Sequence, residues 1–165
     1  MNYKDCSLIP FDERHIQKTF VWVSDPEIRR LFLMRGEVTW EGHRQYWSRI
    51  LSDSRQKVFA ILDEGGVHVG NCGFKNISPS EGELWIYFGE PGVRGKGLGT
   101  KATRLLIQEG FSHLDLSMIY LHVADFNTAA RAMYKKIGFS EVPLKAGIDD
   151  WADRGCRIIR MELVR

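Results

Sequence analysis

The stretch PGVRGKGLGTKATRLL, residues 91–106, limits what this chain can fold into more than any other segment. Between Gly92 and Lys101 it holds four glycines and three cations, and it then runs into Leu98, Ala102, Leu105 and Leu106, one apolar stripe of an amphipathic helix. Glycine lets a backbone approach another group with no Cβ in the way. A helix amino terminus adds unpaired N–H groups and the positive end of the helix dipole. Together these features predict an anion cradle that opens a helix.

Three anions have sequence signatures of this kind. An ATP-binding P-loop needs G-x-x-x-x-G-K-[ST]. Here Glu90 stands five residues before Gly95, and Gly97 follows Lys96 where the magnesium-ligating Ser or Thr belongs, so that reading fails. A dinucleotide turn fits G-x-G-x-x-G/A through Gly97, Gly99 and Ala102. It also expects repeated βαβ units and an acidic residue about twenty positions on, whereas the next strand here ends near Asp125. The third pattern, Q/R-x-x-G-x-G/A, is met by Arg94, Gly97 and Gly99, and it cradles a pyrophosphate on successive N–H groups at a helix start. Arg94 and Lys96 add charge-assisted contacts, one as a planar fork and the other as a mobile point charge.

The chain has 165 residues, enough for one domain (1–165) with a substantial core. A hydrophobic share of 44% with 27% charged residues describes a soluble globular protein. The net charge of +2 gives no reason to expect nucleic acid or an anionic membrane surface as a partner. Cys6, Cys72 and Cys156 form no CxxC pair, which predicts neither a disulfide framework nor a metal site. The longest apolar runs are strand-sized and the amino terminus carries scattered charges, so the expectation is a cytoplasmic protein.

The periodicity predicts a strand near Ser7 to Pro10, then helical segments capped by Asp12, Asp25 and Thr39. The third segment carries Trp40, His43, Trp47, Ile50 and Leu51 on one face. KVFAIL and VHVGNCGF flank the turn DEGG as a hairpin, and GELWIYF at 82–88 adds a strand. After the cradle helix come a strand at 118–124, a helix capped by Asn127 and stopped by Gly138, and a closing strand in CRIIRMELV. The predicted fold is a mixed α/β sheet in the order β-α-α-β-β-β-α-β-α-β-β.

The segments VRGKGLGTKATRLLIQEGF and IYLHVADFNTAARAMYKKIGF, in this order, resemble the GNAT superfamily of acetyl-CoA-dependent N-acetyltransferases. GELWIYF is similar to a strand of the branch holding ribosomal-protein N-terminal and spermidine acetyltransferases. The resemblance implies a sheet in which strands 83–89 and 118–124 splay apart to admit the pantetheine arm. It implies acetyl-CoA as cosubstrate, no metal, and coenzyme contacts from Val93, Arg94, Gly95, Lys96, Gly97, Leu98, Gly99, Thr100 and Asn127. It further implies Glu83 as the base that takes the amine proton and Tyr134 as the acid that protonates the departing thiolate. His122 and His113 read as structural histidines. Homodimerisation through an exposed strand edge is compatible with such a fold.

The acceptor is a small-molecule amine in this reading. WVSDPEIRRLF and VTWEGHRQYW resemble phrases of acetyltransferases that modify the 4-amino group of nucleotide-linked deoxy sugars, with Val23-Ser24 and Gly42 departing from that pattern. The resemblance implies a nucleotide sugar held by Arg30, Arg35, Trp40 and His43. A protein amino terminus or a polyamine is the alternative, to which the acids of DDWADR at 149–154 are suited, and a non-catalytic acyl-CoA-binding module is the second alternative.

Overall fold

The computed structural model describes residues 2, 3 and 5–165. Strands β1 (Asn2–Tyr3) and β2 (Cys6–Pro10) lead through a 3-10 turn into helices α1 (Ile16–Val23), α2 (Pro26–Leu31) and α3 (Trp40–Ser52). The hairpin β3 (Lys57–Asp63) and β4 (His68–Lys75) and strand β5 (Glu81–Phe88) follow. The chain then forms α4 (Leu98–Gln108), β6 (Met118–Ala124), α5 (Thr128–Ile137), β7 (Ser140–Val142) and β8 (Ile158–Val164). All strands join one mixed sheet in the order β1-β2-β3-β4-β5-β6-β8-β7.

Two differences from the predicted order have local causes. The short β1 pairs with β2 across residues that carry no strand signal of their own. Three helices precede the hairpin, one for each capped segment rather than the two of the summary order, because Pro26 lacks an N–H and holds Asp25 extended at ψ 120, which breaks α1 from α2. Asp25 then caps α2 by accepting from the Glu27 N–H, and Thr39 caps α3 by accepting from the Gly42 N–H. On α3 the predicted stripe holds for His43, Trp47 and Ile50, which are buried. Trp40 and Leu51 are 43% and 41% exposed: Trp40 is the first residue of the helix and meets only the rings of Phe20 and His43 on one side, and Leu51 sits a full residue rotation beyond Ile50.

The two faces of the sheet carry different cores, as strand alternation requires. Leu84 and Ile86 of β5 and Ile119, Leu121 and Val123 of β6 pack against Leu98, Ala102, Leu105 and Leu106 of α4 and Tyr134 of α5. On the opposite face Trp85 and Tyr87 pack against α1 to α3 through Trp22, Ile28 and Trp47. By the same alternation Glu83, Tyr120 and His122 fall on this second face. Asn71 ties it to α1, donating to Thr19 Oγ1 at 2.8 Å and to the Tyr87 hydroxyl at 2.9 Å.

Candidate active site

The sheet opens at one place. β5 and β6 are the parallel pair, and they stay paired only through Glu81, Gly82 and Glu83 against Met118, Ile119 and Tyr120. Beyond Glu83, β5 continues on β4 up to Phe88, while β6 continues on β8 up to Ala124. The two strands therefore diverge, leaving backbone groups on their facing edges without a ladder partner. A cavity of about 870 Å³ fills this region, lined by residues of both sheet faces, including Glu83, Trp85, His122, Asn127 and Tyr134.

The glycine-rich segment leaves the end of β5 and is tied down before it turns. Gly89 donates to the Val69 carbonyl, and Trp22 Nε1 and Lys18 Nζ both reach Glu90 Oε1, at 3.2 and 3.1 Å. Gly95 and Gly97 each adopt φ +77, a conformation that favours glycine, and a Cβ at either would meet nothing within 4 Å. Gly97 is the amino cap of α4, and no side chain caps that end. The first N–H groups of α4 thus face open space beside the exposed Arg94 and Lys96. Val93, Leu98, Gly99 and Thr100 complete the turn, with Leu98 buried as its apolar anchor. The arrangement is that of an anion cradle at a helix start.

Glu83 is the best-connected polar group at the mouth of the splay. It is buried, and its Oε1 accepts from His122 Nδ1 at 2.8 Å and faces Lys75 Nζ at 3.4 Å. Its Oε2 accepts from Asn76 Nδ2 at 2.9 Å. Burial pushes this carboxyl up, yet His122, Lys75 and Asn76 together outweigh burial and hold it below its ordinary value. Tyr134 reaches the same cavity from α5, its ring edge-on to Phe139 at 5.7 Å, and burial pushes its phenol well above the usual range. Asn127 caps α5 through the Ala130 N–H at 3.3 Å and also lines the cavity.

The four residues expected at the acceptor do not form one group. Arg35 lines the cavity but is clamped by Asp153 Oδ1 at 2.8 Å and Asp149 Oδ2 at 2.7 Å, and its guanidinium lies 4.1 Å from the Trp151 ring centroid. These carboxylates push its already high pKa higher, so it is a fixed cation inside an acidic pair. His43 lines the cavity as a buried ring beside Trp47, 6.1 Å between centroids, and burial lowers its pKa despite a contact with the Ile16 carbonyl. Arg30 lies elsewhere, paired with Glu27 at 2.9 Å and 4.6 Å over Phe126 beside a second cavity. Trp40 lines neither cavity.

The sequence reading left His122 outside the site and gave the acids of the loop 149–154 a place there only for a cationic acceptor. Strand alternation puts His122 on the face of Tyr120, but only the parallel register of β5 on β6 brings it to Glu83, and that register is a tertiary fact. The loop reaches the cavity because Arg35 draws Asp149 and Asp153 across more than a hundred residues of sequence.

A mixed sheet splayed at its one parallel junction, with a helix-start anion cradle beside the gap, defines an acyl-transferring enzyme fold. The chain belongs to the acetyltransferase (GNAT) domain family, whose pattern matches residues 6–140. It is an N-acetyltransferase with the α/β GNAT fold. Among relatives it is similar to the "N-acetyltransferase 9-like protein" of Caenorhabditis elegans, 28% identical over 156 residues that cover 84% of this chain and 77% of that one. It is similar to the "Alpha/beta-tubulin-N-acetyltransferase 9" of Homo sapiens, 25% identical over 154 residues, 84% of this chain and 74% of that one. In fold it is similar to the spermidine N-acetyltransferase of Vibrio cholerae, solved with CoA and spermine, with a TM-score of 0.85 and 20% identity over 96% of this chain and 95% of that one. No helix among the described residues is long and apolar enough to cross a membrane.

Proposed function

We propose that this enzyme transfers the acetyl group of acetyl-CoA to the α-amino group of a peptide or protein amino terminus. The observation that carries this reading is the charge balance of the acceptor wall. Arg35, the cation a nucleotide diphosphate would need, is held by two carboxylates, and Arg30 is committed to Glu27. The amino-sugar reading is left without the two arginines it named, and of the other arginines at the cavity Arg29 donates to the Arg35 and Gly36 carbonyls while Arg49 lies over the Tyr46 ring. A polyamine, in turn, carries several ammonium groups and needs several free carboxylates. Of the acids lining the cavity, Glu83 is bound by His122, Lys75 and Asn76 and Asp149 by Arg35, which leaves Glu37. Much of the remaining wall is aromatic and apolar, with Phe32, Tyr46, Trp85, Tyr87 and Trp151, and suits an uncharged peptide stem. The tubulin N-acetyltransferases among the relatives support a protein acceptor.

The energetics of the amine agree. An α-amine with a pKa near 8 costs about 1.4 kcal/mol to deprotonate at pH 7, against about 4.6 kcal/mol for a lysine-like amine. One proton acceptor at the mouth of the splay suffices for the first. In this reading the α4 cradle with Arg94 and Lys96 holds the pyrophosphate, the unpaired edges of β5 and β6 hold the pantetheine arm, and a β5 N–H polarises the thioester carbonyl. Tyr134 donates its proton toward the departing sulfur. Burial raises the phenol, and it raises a thiol in the same pocket too, so the two stay matched.

The test is thiol release from acetyl-CoA with three acceptors side by side: peptides with free amino termini, spermidine and spermine, and nucleotide-linked 4-amino-deoxy sugars. Turnover of peptides at a kcat/KM at least tenfold above the others is expected. Preferential turnover of polyamines or of the amino sugar would overturn the peptide reading and leave the acetyltransferase assignment intact.

A further inference from the structure

We propose that His122 is the catalytic residue that takes the proton from the acceptor amine, and that Glu83 is its positioning residue. This rests on the acetyl transfer occurring at the β5–β6 splay and deepens that reading by naming the base. Glu83 already has neighbours at both oxygens, Oε1 with His122 and Lys75 and Oε2 with Asn76, so about three of its four acceptor sites are taken before an amine arrives. Its depressed pKa makes it a weak base as well.

His122 has the complementary properties. An ionised carboxylate carries no proton, so the 2.8 Å contact requires Nδ1 to be the donor. In the neutral imidazole Nε2 is then a lone-pair acceptor, and the tautomer is fixed by the carboxylate rather than left to exchange. Nε2 is buried and has no hydrogen-bond partner among the described residues, while the ring lines the cavity shared with Tyr134. An orphaned buried acceptor is a stability cost that a structural histidine would be expected to avoid. The groups that face the ring are Glu83 on β5, Lys75 and Asn76 at the end of β4, and Tyr120 on its own strand, edge-on at 5.7 Å. Across on β8 stand Arg160, cross-strand partner of His122, and Glu162, which binds the Arg160 guanidinium at 2.9 Å.

The step balances without any further reactant. The amine nitrogen bonds to the acetyl carbonyl carbon, its surplus proton passes to His122 Nε2, and the C–S bond breaks with its electron pair going to sulfur. Tyr134 supplies the proton that makes the thiol, and solvent exchange returns the imidazolium and phenolate to their starting forms. Glu83 keeps its charge throughout and stabilises the imidazolium, as a carboxylate does behind a catalytic histidine.

The first experiment is 15N NMR of histidine-labelled protein across pH 5 to 9, read for His122. The neutral ring is expected to carry its proton on Nδ1, and Glu83→Gln to relax that preference toward the other tautomer. A neutral ring protonated on Nε2 would overturn the proposal whatever the acceptor proves to be. The second experiment is turnover by His122→Asn, whose amide can still donate to Glu83. It should lose about 10²- to 10³-fold in kcat and keep its affinity for CoA. The loss should be smaller for amines of pKa near 8 than for amines near 10. Retention of the rate would overturn the proposal, as would an equal loss for every amine together with weakened CoA binding, the mark of a packing role. Wild-type protein that ignores every peptide would sink the acceptor reading alone, since the tautomer decides the dyad independently.

Discussion

Gly97→Ala separates what the cradle does for folding from what it does for binding. At φ +77 an L-residue pays about 1–2 kcal/mol for the left-handed conformation. The added Cβ meets no atom within 4 Å, so no packing penalty adds to that cost. For a chain of 165 residues each kcal/mol moves the melting temperature by about 2–4 °C, which predicts a fall of about 2–8 °C and a protein that still folds. The same Cβ projects beside the first N–H groups of α4, where the pyrophosphate is to sit. Loss of one charge-assisted hydrogen bond, at about 1.5–3 kcal/mol, weakens CoA by about 10- to 150-fold. The assay is a thermal melt with and without CoA at 100 times the wild-type Kd. Wild type gains about 2.7 kcal/mol from the ligand, and a variant weakened 100-fold gains about 0.4 kcal/mol, so the ligand-induced shift nearly vanishes. Gly92→Ala is the control, since its backbone is not in the left-handed region and its Cβ also meets nothing within 4 Å. A Gly97→Ala protein that melts lower yet keeps its full CoA shift would refute the cradle.

Other perturbations probe the remaining links. Tyr134→Phe should lower kcat by about 10- to 100-fold, the lower part of the general-acid range because a thiolate leaves readily, with CoA affinity by calorimetry unchanged; a collapse of affinity would make the residue a coenzyme contact. The folded-state pKa of Glu83 lies below its unfolded value, so its contribution to stability is complete above the unfolded carboxylate range and is lost as pH falls through the folded value. Denaturant titrations of Glu83→Gln should accordingly show a flatter acid limb than wild type, and identical slopes would mean the carboxylate gains nothing from His122, Lys75 and Asn76. Gly89→Ala should cost about 1–3 kcal/mol or more, because its Cβ would fall 1.8 Å from Trp22 Cδ2 and drive that ring off Glu90; an unchanged midpoint would show that the loop entry is not fixed there.

What the sequence disclosed and what it withheld divide along the range of the interactions involved. The shape of the glycine turn was legible because every part of it is local: glycine positions, flanking cations and the apolar stripe of α4 lie within one short segment, and positive φ at Gly95 and Gly97 suits the residue type. Caps at Asp25, Thr39 and Asn127 were legible for the same reason. The splay between β5 and β6 came from resemblance and is realised in a pairing that ends at Glu83. The acceptor wall was not legible, because a cation's role depends on which acids meet it. Arg35 looked available in sequence and is neutralised by residues 114 and 118 positions away.

The same logic explains why a carboxylate was the more visible base and a histidine the better one. Glu83 sits in a strand pattern that names it, whereas His122 is a single polar residue among Ile119, Tyr120, Leu121 and Val123, where a satisfied structural ring is the ordinary expectation. Only the fold shows that its δ nitrogen is satisfied by Glu83 while its ε nitrogen is not satisfied by anything in the described chain. A buried half-satisfied imidazole at the point where two strands part is unstable as architecture and useful as chemistry. The amine that completes its hydrogen bonding is also the group that must lose a proton, so the deficit that folding leaves at Nε2 is removed by substrate binding.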